Sequence, residues 1–462
     1  MYIDKPLPFI KDFVDQIDIV MNSKGMGFGL SKAQKRWFCF CIMCIIITNS
    51  INWAGFERIS LQTFTQAGVS WMFRKSKIAW DIILSCAVRV VIQNYGIKSG
   101  VLVLDDSDNA RSKNTKQIYK TYKIKDKKTG GYVNGQSLVM LVLVSEMVTI
   151  PVSFAFYAPD SEIQKWKKED AKLKTQGVKK KDRPACPVRN KDYPTKEELA
   201  IKLLKEFSVN FPDIVVKAVD ADALYGTERF MDTSSEIFQG VQVVSQLRKN
   251  QVIQIKNQEY AIENYFAKKP YYPHSVIKMR GKDIKVDYCY TIAKIKSHHW
   301  KKRIIIALRY EGEKEYRYLT ATNMSWKAET IVQTYSLRWL VEVFFQDWKT
   351  YEGWGHLTKH TGYDGSSRGL ILSLMLDLSL LLHPVQKVRI KDKLPAYTVG
   401  SLQEKIEIES LIQFIANLLN EENPKEKLLL IVENADLISK SNFSTKHLNN
   451  INWDFLEMKN AA

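Results

Sequence analysis

Apolar positions recur at helical spacing through the first 95 residues and then change character. Lys32–Thr48 and Trp71–Tyr95 follow the i, i+3, i+4 pattern of buried helices, with Ser31 and Ser76 as capping residues. After Gly96–Gly100 come short apolar runs of strand length: Val101–Leu104, Ser137–Val144 and Thr149–Tyr157. Thr195-Lys-Glu-Glu198 is a capping box that opens a helix to about Phe207. A strand over Asp213–Asp222, a helix from Thr227 and a strand over Val241–Leu247 follow. Residues 252–322 alternate in a Tyr-rich, basic, β-like texture, with a hairpin signal at Glu311-Gly312. Ala328–Tyr351 reads as one long helix, Arg368–Leu382 as another, and the remainder as helical. Residues 161–195 are Lys-rich and carry Pro184, Pro187 and Pro194, so they read as an exposed loop or a frayed helix. The order predicts an α/β fold: a core interrupted by a β-rich insertion and flanked by helical N- and C-terminal regions. The boundaries fall at 1–96, 97–250, 251–325, 326–385 and 386–462.

Composition narrows the class of partner. The 462 residues are 45% hydrophobic, which excludes a mainly disordered chain, and 68 Lys+Arg against 50 Asp+Glu leave a charge of +18. Residues 401–462 hold six Lys and ten acids, a net of −4, so the first 400 carry +22. That excess points to a polyanion, either nucleic acid or an anionic membrane surface. The longest apolar run, Trp37–Thr48, is 12 residues, whereas a bilayer span takes roughly 20. With no leader-like layout at the N-terminus, the expectation is a soluble, cytoplasmic protein with no membrane partner. Cys41-Ile-Met-Cys44 lies inside the apolar run without a second Cys/His pair, which reads as core packing. His298-His299 reads as a solvent-exposed pair in a basic turn.

Carboxylates close two of the strands. Asp106 follows Val101–Leu104, and Asp220 and Asp222 close Val215–Val219. Strand C-terminal ends are where open α/β sheets bind ligands, although Asp after a strand is also a common turn residue. A third acid sits in Tyr335-x2-Arg338-x3-Glu342-x6-Lys349. At about 100° per residue these four share a stripe about 60° wide on an otherwise apolar helix. Charge on such a helix needs partners. Arg338 and Glu342 form either a structural i,i+4 pair or part of a charged cleft.

The spacing Y-x2-R-x3-E-x6-K resembles the signature of DDE transposases of the cut-and-paste insertion-sequence type, the family named after insertion sequence four. Asp105-Asp106-Ser107 is similar to that family's Asp-Asp-Thr, which implies Asp106 as the first catalytic carboxylate. Asp222-Ala-Leu-Tyr225-Gly226 is similar to its D-x-x-Y-G, which favours Asp222 over Asp220 as the second, with Glu342 as the third. The resemblance implies an RNase H-like catalytic core in 97–250 and 326–385, split by the insertion at 251–325. It further implies a DNA-binding N-terminal region and a dimerising C-terminal one. The implied cofactor is Mg²⁺, two ions per site with Mn²⁺ able to substitute, held by Asp106, Asp222 and Glu342 for in-line displacement at phosphorus. Tyr335, Arg338 and Lys349 are then phosphate contacts. Cleavage at transposon ends, strand transfer into target DNA, double-stranded DNA as partner, a synaptic homodimer and a nucleoid location follow from the same resemblance. Two alternatives stand: a catalytically inactive DNA-binding protein on this scaffold, and an RNase H-like nuclease without strand transfer.

Further DNA contacts are expected in the loop 111–128, where Lys113, Lys116, Lys120 and Lys123 are among eight basic residues and Tyr119 and Tyr122 lie between them. Residues 165–191 hold eleven more Lys/Arg, as a DNA-contact or dimer loop or as a plain solubilising one. In the insertion, Tyr318 resembles the family's base-stacking aromatic, with Trp300 and Trp326 as rivals.

Overall fold

The computed structural model describes residues 5–433, apart from 26, 61–62, 112–116, 127–128, 270, 280 and 357–360. Five helices open the chain: α1 (Pro8–Lys24), α2 (Lys32–Thr48), α3 (Trp53–Ile59), α4 (Gln66–Lys75) and α5 (Trp80–Tyr95). The core follows as β1 (Ser99–Ala110), β2 (Tyr122–Lys125), β3 (Tyr132–Val144), β4 (Thr149–Tyr157), α6 (Ser161–Thr175), α7 (Lys196–Asn210), β5 (Val215–Ala221), α8 (Glu228–Ile237) and β6 (Gln242–Leu247). The insertion comprises β7 (Val252–Ile255), β8 (Gln258–Ala261), α9 (Ile262–Phe266), β9 (Tyr272–Met279), β10 (Lys282–Ile295), β11 (Lys301–Tyr310) and β12 (Arg317–Ala321). The chain then runs through α10 (Ala328–Ser336), α11 (Arg338–Tyr351), α12 (Gly362–Leu381), α13 (Pro384–Lys391), α14 (Val399–Leu419) and α15 (Pro424–Glu433).

All twelve strands join one mixed sheet. Its core runs β4-β3-β1-β5-β6: β3 is antiparallel to β4 and β1, whereas β1-β5 and β5-β6 are parallel. This order fits the α/β, RNase H-like core that the resemblance implies. The insertion continues the same sheet, because β12 pairs antiparallel with β6 and is followed by β11 and β10. Leu138–Val144 is buried along its whole length, as befits a strand covered on both faces. The helical N-terminus packs into that cover. Residues from α1, α2, α5 and α12 share one apolar core with β1, β3 and β4.

Local chemistry sets the element ends. Thr195 Oγ1 accepts the Glu198 N–H at 3.1 Å and Glu198 Oε2 accepts the Thr195 N–H at 2.8 Å, the capping box expected for α7. Ser31 caps α2 in the same manner, but Ser76 ends α4, and its hydroxyl accepts from the Gln34 amide at 2.9 Å. The expected long helix is two helices meeting at Leu337, whose N–H bonds Thr334 O at 3.0 Å. Of the two readings of 161–195, the helix holds for its first half, α6, and the rest runs mostly as loop. Residues 434–462, part of the predicted C-terminal helical region, lie outside the described residues. Among the described residues no single helix is long and apolar enough to cross a membrane. Only α12 and α13 together pass on length and composition; they are bent by 61°, and α12 is largely buried.

The far end of α11 is pinned to α12. Trp348 and Trp354 stack at 4.7 Å, and Trp348 Nε1 donates to Ser373 Oγ at 2.7 Å. Near this end of α11 lie a fully buried carboxyl, Glu352, and a partly buried one, Asp377. Burial, with the Asp377 charge beside it, pushes Glu352 well above its usual range, and burial pushes Asp377 from 3.8 up to about 7. Between those two values the unfolded chain releases the Asp377 proton while the folded chain keeps it, so stability falls as pH rises through this window, and Glu352, raised for the same reason, adds a fall of the same sign. Asp377→Asn is expected to make the fall shallower, leaving the share that belongs to Glu352 and gaining stability relative to wild type at pH 8. Urea unfolding at pH 5 and pH 8 checks this; parallel wild-type and variant profiles would disprove it.

Candidate active site

Strand alternation decides which side chains meet. Along β1, Val103, Asp105 and Ser107 face one side of the sheet, and Leu104, Asp106 and Asp108 face the other. In the parallel β1-β5 pair Val103 is opposite Asp220 and Leu104 opposite Ala221, which brings Asp105 level with Asp222 as β5 ends. The chain then makes a tight turn, Ala223–Tyr225, folded back on β6. A Cβ on Gly226 would lie 2.5 Å from the Gln246 carbonyl oxygen, so this close approach requires glycine. Ser245 Oγ donates to the Asp222 carbonyl at 2.9 Å, and His298 sits 3.0 Å from the Gly226 carbonyl. His298 is therefore buried under the turn, contrary to expectation; His299 is exposed.

On the Asp105 side lies α11, with Arg338 at its first position. The Arg338 guanidinium donates to Asp105 Oδ2 at 2.8 Å and to Glu342 Oε1 at 2.7 Å, with Asp222 Oδ1 at 3.8 Å. Arg338 and Asp105 side chains are only 13% and 12% exposed, against 37% for Asp222 and 39% for Glu342. Three carboxylates thus converge on one cation and leave a net charge of −2. Burial pushes the Asp105 carboxyl up to about 6, against the pull of Arg338. Asp220 is fully buried on the same side, with no hydrogen-bond partner for either oxygen, and burial holds it well above the usual range.

Asp106 stands elsewhere. Its carboxylate faces the opposite side and binds Lys196 Nζ at 2.6 Å, at the start of α7. The structure therefore seats Asp105, not the expected Asp106, beside Asp222 and Glu342, because consecutive strand residues cannot share a face. Asp106 touches the cluster only through its backbone, whose N–H donates to Asp105 Oδ1 at 2.8 Å.

The other expected residues divide. Tyr335 is buried under Arg338, and its hydroxyl donates to Gln246 Oε1 at 2.8 Å. Lys349 is half-buried near the end of α11, with its ammonium 6.0 Å from the Phe345 ring centre. Tyr318 is buried in the insertion's own core, 5.8 Å from Phe266, and offers no free face to a base. Lys120 is half-buried between the rings of Tyr119 and Tyr193, Lys123 is exposed on β2, and Lys113 and Lys116 lie outside the described residues. A cavity of about 420 Å³ opens beside Glu342, lined by Tyr310, Trp339, Arg317 and Lys282. Asp105, Gln246 and Lys196, which make the contacts above, carry no motif of their own in the sequence; Asp105 is marked only by its place next to Asp106. Cys41 and Cys44 are buried, and burial pushes both thiols well above their usual range, as core residues should behave.

Carboxylate oxygens are the donors that hard divalent cations take, so the donor set fits such an ion in type. In geometry the carboxylates close on Arg338. Among the described residues no group of three or more His, Cys, Asp or Glu is arranged to hold a metal ion. Asp222 and Glu342, the more exposed pair, are the ones free to adjust.

Residues 192–376 match the family described as transposase DDE domain, and residues 53–278 match the DDE superfamily endonuclease family. No curated protein matches the chain. Among solved structures, the piggyBac transposase synaptic complex with hairpin DNA is similar at a TM-score of 0.44 and 10% identity, covering 96% of this chain and 85% of that one.

Removing the shared guanidinium tests the electrostatic reading of the cluster. Arg338→Ala is expected to cost about 3 kcal/mol in urea unfolding, because it strands the buried Asp105 charge. In an Asp105→Asn background the cost is expected to shrink by about 1–2 kcal/mol. Additive losses would show that the two side chains are not coupled.

Proposed function

We propose that this protein is a metal-dependent DDE transposase of the cut-and-paste type, cleaving transposon-end DNA and joining it to a target. The observation that carries this reading is the meeting of Asp105, Asp222 and Glu342 at the C-terminal strand ends of an RNase H-like sheet, within the stretches that match DDE families. Asp105, Asp222 and Glu342 are the residues that would hold Mg²⁺ or Mn²⁺. When bound, such ions supply charge neutralisation and activation of the attacking oxygen at phosphorus.

The chain's own groups do the rest. Arg338 is a planar fork suited to a phosphate, and it lies where the scissile group must approach the carboxylates. Lys349 is seven residues beyond Glu342, about 10 Å along the helix, and can neutralise the next phosphates. Tyr335 is a positioning residue, since its hydroxyl is committed to Gln246 and its ring backs Arg338. Unstacked bases beside the cut fit the cavity edged by Tyr310 and Trp339, which takes the role expected of the buried Tyr318. A homodimer working on two ends at once completes the reading.

Asp105→Asn and Glu342→Gln are expected to lower Mg²⁺- or Mn²⁺-dependent nicking by about a hundredfold or more while retaining DNA binding. Asp106→Asn is expected to keep most activity. The substrate is a supercoiled plasmid bearing the coding sequence with its flanking DNA. If Asp106→Asn is dead and Asp105→Asn active, the assignment is wrong. Products joined into a second plasmid separate a transposase from a nuclease.

A further inference from the structure

The basic segment between β4 and α7 is a built module. Its base is clasped by Asp160, which accepts the N–H of Asn190 at 2.9 Å with one oxygen and that of Glu162 at 2.9 Å with the other. On its inner side Ile163 is buried, Trp166 Nε1 donates to the Pro184 carbonyl at 2.8 Å, and Arg183 binds Asp170 at 2.8 Å. These contacts fix which way α6 faces. At about 100° per residue, Lys165, Lys167, Lys168, Lys172 and Lys174 all fall within one half of the helix circumference, and that half holds no Asp or Glu. All five are exposed, and among the described residues none of them is in an ion pair. Five like charges spread over about 14 Å of one surface, none of them in an ion pair among the described residues, call for an external polyanion.

Position points to which one. The segment leaves the sheet at Tyr157, which pairs with Ser137, itself paired with Asp108, so its root is level with the carboxylate end of β1. It returns through Lys196, which binds Asp106 at the same strand end but on the face of the sheet opposite Asp105. The root lies two strands from β1, about 10 Å, whereas the insertion lies on the other side of the carboxylates, beyond β6. Resting on the transposase reading, we propose that α6 is a phosphate-backbone platform for duplex DNA, gripping it on the side of the scissile bond opposite the insertion. The outward half carries Gln164, Ala171 and Thr175 between the lysines and no large apolar side chain, so it lacks what a bilayer-binding helix inserts.

The test is a salt titration of binding to a fluorescent mixed-sequence duplex, with a hydroxyl-radical footprint. Lys165→Gln, Lys168→Gln and Lys172→Gln together keep good helix formers and leave the inner side untouched. The triple variant is expected to reduce the slope of log K against log salt by about 2 to 3, and to shorten the footprint on one side only. Lys391→Gln with Lys393→Gln, on exposed positions of α13 and just beyond it, is the charge control. An unchanged slope overturns the proposal, as does an equal drop from the control, or loss only of binding to anionic phosphatidylglycerol vesicles. A wild-type protein that binds no duplex at all overturns the transposase reading itself.

Discussion

The guanidinium of Arg338 is the point on which the two ends of this fold depend. It joins Asp105 on the first strand to Glu342 on its own helix, across 233 residues of sequence, at 2.8 and 2.7 Å. Without a cation there, three carboxylates would meet in a site where Asp105 is nearly dry, and their mutual repulsion would oppose closure of α11 on the sheet. The helix break at Leu337 serves the same end. A continuous helix through Tyr335–Lys349 would carry Tyr335 and Arg338 on one unbroken stripe. The break lets Tyr335 turn its hydroxyl to Gln246 while Arg338 reaches the carboxylates.

What the sequence made legible was whatever rests on local chemistry. The capping boxes of α2 and α7 are set by neighbours within a few residues, and the strand expected over Thr149–Tyr157 is β4 with the same bounds. The core strand order was also within reach, since a run of strand, strand, strand, helix, strand, helix, strand allows few sheets. What stayed hidden depends on facing. Val101–Leu104 is apolar on both sides, so it carries no mark of which face is which, and the choice between Asp105 and Asp106 needs the pairing with β5. Tyr318 misled for a related reason. Arg317 and Tyr318 alternate in a strand whose two sides are both covered, one by α10 and the other by α9, so the aromatic is core rather than surface. His298 looked exposed from its lysine neighbours, but it is folded under a turn 72 residues away.

Net charge takes on a different meaning once the parts are placed. An excess of +18 describes a chain that attracts polyanions, and by itself it describes a binder. The structure separates two populations of charge. The lysines of α6 are exposed and, among the described residues, in no ion pair, so they keep an attraction for phosphate that salt reduces. The acids of the cluster are partly desolvated, and one cation leaves them two charges short of neutral. A DNA backbone drawn in by the first population would be repelled by the second. The approach becomes favourable only when further positive charge occupies the acidic pocket, and divalent ions are the compact means of supplying it. On the proposed function, exposed lysines beside a net-negative pocket would couple binding to the arrival of metal, which a uniformly basic cleft would not do.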